Sequence, residues 1–115
     1  MPLLEIRTNV DLAPEERRAL LDTASVRTAE LLGKPESYVM VIVEGGMDLR
    51  FGGSADPACL LTLKSLGLPE ERTPEITRAL SALMNECCTI PANRVYVEFA
   101  SPPRHMWGFD NTTFG

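Results

Sequence analysis

An internal repeat at an offset of 56 residues constrains this chain more than any other feature, with Pro35 four residues before Val39 and Pro91 four residues before Val95. Each copy reads as strand, helix, strand. In the first copy Leu3 to Ile6 form an apolar strand candidate that ends at the polar Thr8 and Asn9. Pro14 then stands where the first turn of a helix tolerates a missing N–H, and Glu15 and Glu16 suit the positive end of the helix dipole. Leu21, Ala24, Thr28 and Leu32 follow at helical spacing, and Gly33 is a natural terminator. Tyr38 to Val43 is β-branched and almost wholly apolar, which predicts a buried strand.

The second copy repeats the plan. Cys59 to Leu63 is its first strand, and Thr73 is placed to cap a helix whose first residue is Pro74. Ile76, Leu80, Leu83 and Cys87 mark one helical face, and Val95 to Phe99 close the unit. Two strands joined by one crossover helix favour parallel pairing within a unit. The expected fold is therefore α/β (α+β): a four-stranded sheet with two helices on one face, in a single domain 1–115 whose repeats span about 2–57 and 58–115. The opposite face of so apolar a sheet has no cover within one chain, which predicts burial against other subunits.

Charge narrows the function. The net charge of −5 argues against a nucleic-acid partner, since phosphate would be repelled. No stretch approaches the ~20 apolar residues of a membrane span. Residues 1–7 lack a basic region followed by a long apolar run, so no secretory leader is expected. The three cysteines, Cys59, Cys87 and Cys88, form no disulfide framework and no C-x-x-C pair, which suits a reduced, cytoplasmic setting.

Two residues carry candidate chemistry. Removal of Met1 would leave Pro2 with a secondary amine, and an apolar pocket or a nearby cation lowers the pKa of such a group into the range of a general base. Lys34 lies at the junction of helix and strand, where loops of α/β units often carry function. It is placed either to hold a carboxylate or simply to complement the helix dipole. Phe51-Gly52-Gly53-Ser54 lacks the spacing and lysine of a phosphate loop and reads as a turn. His105, the sole histidine, has no triad partners and reads as a surface residue. Trp107, Phe109 and Phe114 are candidates for a pocket wall or for packing.

Taken in order, these stretches resemble the macrophage migration inhibitory factor family of the tautomerase superfamily. The matching residues are Pro2, Thr8-Asn9-Val10, Gly33-Lys34-Pro35 with Tyr38 and Val39, Phe51-Gly52-Gly53-Ser54, Ser65-Leu66-Gly67, Arg94-Val95-Tyr96-Val97 and the tail from Gly108 to Phe114. The resemblance implies a homotrimer with sites at subunit interfaces and a cofactor-free, metal-free keto–enol tautomerase. Its substrate would be a small keto or enol acid such as phenylpyruvate, or a dopachrome-like compound. It implies that Pro2 moves the proton, that Lys34 binds the carboxylate, and that the backbone at Ser65 and Leu66 helps hold the substrate. Tyr96, as polar partner, and Phe109, as part of an aromatic wall, would come from a neighbouring subunit, with Tyr38 and Phe114 as further site candidates. Departures from the family pattern are Ala58 and Leu61 in place of a cysteine pair, Glu98 in place of an asparagine, Trp107 in place of a valine and Phe109 in place of a tryptophan. The first three of those positions predict no dithiol activity and a site altered in charge, and the last two a reshaped pocket. The alternative reading is a cytokine-like interaction protein with a vestigial pocket, since such relatives leave cells without a leader.

Overall fold

A computed structural model describes residues 1–115. Its regular elements are β1 (Pro2–Thr8), α1 (Pro14–Leu32), β2 (Met40–Glu44), β3 (Cys59–Ser65), α2 (Thr73–Cys88), β4 (Val95–Ala100) and a short hairpin of β5 (Gly108–Phe109) and β6 (Thr112–Thr113). The helix ends follow from local chemistry. Ahead of Pro14, the Ala13 N–H donates to Glu16 Oε1 at 2.9 Å, which satisfies a group the helix leaves free. Gly33 ends α1 in the left-handed conformation (φ 62°), and the Lys34 N–H returns to the Ala29 carbonyl at 3.0 Å. The equivalent position after α2 is Thr89, held at φ 56°.

Pro35 and Pro91 each start a single 3₁₀ turn, Glu36–Tyr38 and Ala92–Arg94, which leads into β2 and β4. Tyr38 consequently lies on a turn and not in the strand that the apolar run suggested. Thr73 is likewise the first residue of α2 and not its cap; Arg72 occupies the cap position, and the Thr73 hydroxyl donates back to the Glu70 carbonyl at 3.0 Å.

The sheet order is β2-β1-β3-β4. Pairing is parallel inside each repeat, and the two repeats join through antiparallel β1 and β3, with Pro2 opposite Ser65 and Thr8 opposite Cys59. Both helices pack on one face. Leu4, Ile6, Leu61 and Leu63 of the central strands meet Leu20, Ala24, Ile76, Leu80, Leu83 and Met84 of the helices in one apolar core. Each fully buried Leu, Ile or Met contributes roughly 1.5–3 kcal/mol. The buried stripe of α1 runs through Leu20, with Leu21 half-exposed, and Cys87 of α2 is only half-buried.

The second strand of the first repeat is not buried on both sides. Val41 and Val43 face the core, while Met40 and Ile42 of β2 are 60% and 39% exposed on the opposite face of the sheet. No helix is long and apolar enough to cross a membrane.

Candidate active site

Pro2 opens β1, buried, and the parallel register sets Leu3 beside Met40. The 3₁₀ turn ahead of β2 therefore brings Tyr38 to the same end of the sheet. The β5–β6 hairpin folds onto this end as well. Asp110 and Asn111 form its two-residue turn with φ of 51° and 69°, the doubly positive geometry that suits tight hairpins and that Asp and Asn tolerate. The Phe114 N–H donates to the Trp107 carbonyl at 3.2 Å and carries the hairpin's pairing to the end of the chain.

The result is a cleft of about 350 Å³ whose walls include Met1, Pro2, Tyr38, Trp107, Phe109 and Phe114. The Phe109 ring meets Tyr38 edge-on at 5.8 Å and stacks on Phe114 at 5.7 Å. These are ordinary favourable aromatic geometries, so the wall is self-supporting.

Burial, then Lys34, then Arg104 hold the Met1 ammonium below the usual range of a terminal amine. Burial strips water from the charged form, and each cation repels it. Neither Lys34 nor Arg104 forms an ion pair; the chain's ion pairs involve Arg7, Arg27 and Arg72. The Arg104 Nε–H donates to the Phe114 carbonyl at 2.9 Å, which ties this cation to the aromatic wall. Met1 precedes Pro2 in the structure, so the Pro2 nitrogen is an amide there. Loss of Met1 converts it into a secondary amine inside the same electropositive, apolar end of the sheet.

Ser65 and Leu66 reach this end through the register of β3, but both side chains are buried and the Ser65 hydroxyl donates to the Leu66 carbonyl at 3.3 Å. What they can offer a ligand is backbone. Phe109, expected from a neighbouring subunit, lies in the same chain's cleft as Pro2. Tyr96 and Glu98 do not. Tyr96 pairs with Leu60, which lies opposite Arg7, five residues along β1 from Pro2 and so about 16 Å away at ~3.3 Å per residue. Its side chain is 64% exposed, and its hydroxyl makes no hydrogen bond within the chain.

Arg104 was not singled out from the sequence. A basic residue after Pro102 and Pro103 becomes informative only when the hairpin is known to fold back over Pro2. The thiols stay apart from this cleft: burial pushes Cys59 up to about 12 and Cys88 up to about 11, and all three cysteines are free. His105 is exposed.

Comparison with known proteins agrees with this architecture. The family model described as Macrophage migration inhibitory factor (MIF) matches residues 1–115. A Brugia malayi macrophage migration inhibitory factor homolog is 39% identical over 119 aligned positions, covering 100% of each chain. A Trichinella spiralis homolog is 33% identical over 115 positions, covering 99% of this chain and 100% of its own. The crystal structure of a macrophage migration inhibitory factor homologue from Prochlorococcus marinus superposes with a TM-score of 0.92 at 36% identity, covering 98% of this chain and 99% of that one. The structure of the macrophage migration inhibitory factor from Trichinella spiralis gives a TM-score of 0.91 at 32% identity, covering 97% and 99%. Repeat, sheet order and end-to-end similarity agree, and the chain belongs to the macrophage migration inhibitory factor family of the tautomerase superfamily.

Proposed function

We propose that this protein is a cofactor-free keto–enol tautomerase in which Pro2, freed by removal of Met1, is the acid–base group. The observation that carries this reading is the environment of the chain's first residues. An aromatic cleft partly buries the terminal amine of Met1, and burial, Lys34 and Arg104 together destabilise its ammonium form.

The chemistry needs only a proton carrier and charge control. The neutral Pro2 amine takes the α-proton of a 2-keto acid, and the electron pair of that C–H bond moves toward the carbonyl oxygen. The same proton is then returned to oxygen, giving the enol, and the reverse sequence gives the keto form. Lys34 binds the carboxylate and favours neutral Pro2 through its positive charge. Tyr96 of a second copy donates to the oxygen on which negative charge develops, a role best filled by a fixed donor in a site shielded from water. Tyr38, Trp107, Phe109 and Phe114 suit an aromatic substituent, as in phenylpyruvate or a dopachrome-like compound. The site is completed by a homotrimer, because Tyr96 lies too far from Pro2 of its own chain.

The test is enol-to-keto conversion of phenylpyruvate, followed by ultraviolet absorbance with the Pro2 terminus verified by intact mass. Pro2→Gly retains a terminal amine but alters its basicity and rigidity. It is expected to lose roughly 10²–10⁴-fold in rate, the usual worth of a positioned acid–base group. A folded, assembled Pro2→Gly protein as fast as wild type would overturn the reading.

A further inference from the structure

At the far end of the sheet from Pro2, one irregular segment is braced far more heavily than a surface loop requires. Between β2 and β3 the chain has no regular structure except the Phe51–Ser54 bridge, closed by Gly52 at φ 59° and Gly53 at φ 77°. Two side chains hold it. From one side Asn9 Nδ2 donates to the carbonyls of Ala55 and Asp56 at 3.1 and 3.0 Å, while its Oδ1 accepts the Ala58 N–H at 3.0 Å. From the other side the Arg94 guanidinium donates to four carbonyls: Pro57 at 3.3 Å, Phe51 at 2.8 Å, Ser54 at 3.2 Å and Asp56 at 2.9 Å.

Arg94 also lies over the Phe51 ring, 5.1 Å from its centroid, and that ring in turn lies 4.5 Å from the ring of Tyr96. Guanidinium, phenyl and phenol thus form one contiguous row, with the phenol ring tilted at 47° to the phenyl. Its outer member is the exposed tyrosine, whose hydroxyl has no partner in the chain. A planar, forked donor can satisfy four carbonyls and still present its face to an aromatic ring, which an ammonium cannot do. Arg94 lies on the 3₁₀ turn two residues before Tyr96, so its own position is set by the element that carries the tyrosine.

We propose that Arg94 is a positioning residue for the reaction: through Phe51 it fixes the direction in which Tyr96 presents its hydroxyl to the Pro2 cleft of a second copy. This inference rests on the tautomerase reading given above. Arg94 touches no substrate. Its contribution is to spare Tyr96 the ring orientations that do not reach the substrate oxygen, and a donor displaced by about 1 Å can lose on the order of 10²-fold in rate.

The experiment is a double-mutant cycle on phenylpyruvate conversion, with verified Pro2 termini and Pro2→Gly as control. Arg94→Lys keeps the charge and loses the fork; it is expected to lower kcat by roughly ten- to a hundred-fold while KM stays within about twofold. In a Tyr96→Phe background the same change is expected to alter kcat by less than about twofold, because the group it positions is already gone. Phe51→Leu, which leaves Arg94 intact, is expected to repeat the pattern and stands in should Arg94→Lys fail to fold. Full activity of both variants, or an equal loss with and without the Tyr96 hydroxyl, would overturn the inference while leaving the proline reading standing. Should Pro2→Gly match wild type, the tautomerase reading falls, and nuclear magnetic resonance of ¹³C-tyrosine-labelled protein still decides the geometry. Arg94→Lys is expected to shift the Tyr96 ring signals and leave those of Tyr38 in place; unmoved Tyr96 signals would refute the positioning role.

Discussion

Lys34 and Arg104 act on one amine from opposite ends of the chain, one after the first helix and the other before the terminal hairpin. A cation disfavours the ammonium form, as both do for the Met1 amine. After loss of Met1 the same charges would bear on the Pro2 amine, so removing either is expected to raise its pKa. Lys34→Ala and Arg104→Ala are therefore each expected to move the acid limb of the kcat/KM profile to higher pH. The double variant is expected to move it further, with burial still holding part of the depression. A limb that stays fixed or moves down would show that these charges do not govern the catalytic amine. Lys34→Ala is also expected to raise KM, since it removes the carboxylate's partner. Lys34 was legible in the sequence because Gly33 and Pro35 pin it to a helix–strand junction. Arg104 was not, because its nearness to Pro2 depends on how residues 101–115 fold back, and no local pattern encodes that.

At the scale of elements the repeat offers a matched pair. Gly33 and Thr89 end α1 and α2 at equivalent positions with nearly the same backbone, φ 62° and φ 56°. A β-branched residue pays about 1–2 kcal/mol for that conformation, partly offset by the freedom glycine has in the unfolded chain. Thr89 is exposed and gives up no buried contact, so Thr89→Gly is expected to stabilise the fold by about 0.5–1 kcal/mol. Nothing lies within 4 Å of a Cβ added at Gly33, so Gly33→Thr tests the backbone alone and is expected to destabilise by a similar amount. Urea unfolding midpoints check both, and shifts of the same sign would contradict the pairing. The sequence showed the end of α1 at Gly33 and all four main strands, because Pro14, Gly33, Pro35, Pro74 and Pro91 punctuate the repeats, whereas Thr89 gave no sign of the end of α2. The strand limits it suggested were short by one or two residues for β1 and β3. It misplaced the buried stripe of α1 by one residue at Leu21, where neighbouring Leu20 competes for the same phase. It carried no sign that β1 and β3 would join antiparallel, and the two-residue strands of the terminal hairpin are too short for any periodicity to reveal.

For the whole molecule, the separation of Tyr96 from Pro2 makes assembly part of the proposed site. A homotrimer is the expected state by light scattering, and a stable monomer at micromolar concentration would refute it. Complementation is the sharper check. Co-refolding equal amounts of Pro2→Gly and Tyr96→Phe chains restores an intact Pro2 beside an intact Tyr96 at about a quarter of the interfaces in a randomly mixed ring. Activity above that of either variant alone is expected, and none would place Tyr96 outside the site. The apolar strands led to the expectation of a cover, and Met40 and Ile42 are exposed on that face; which residues of a neighbour would meet them is not legible, since one chain's pattern does not encode a neighbour's register. The order β2-β1-β3-β4 has a further result. Both outermost strands belong to the second half of a repeat, and each presents a row of backbone N–H and C=O groups with nothing bound to them. A single chain outside the proposed homotrimer thus offers two open templates for strand addition, one of them flanked by Met40 and Ile42. Loss of the proposed assembly at working concentration is then expected to end in precipitation and not in a quiet, soluble monomer, so shelf life and activity would decline together.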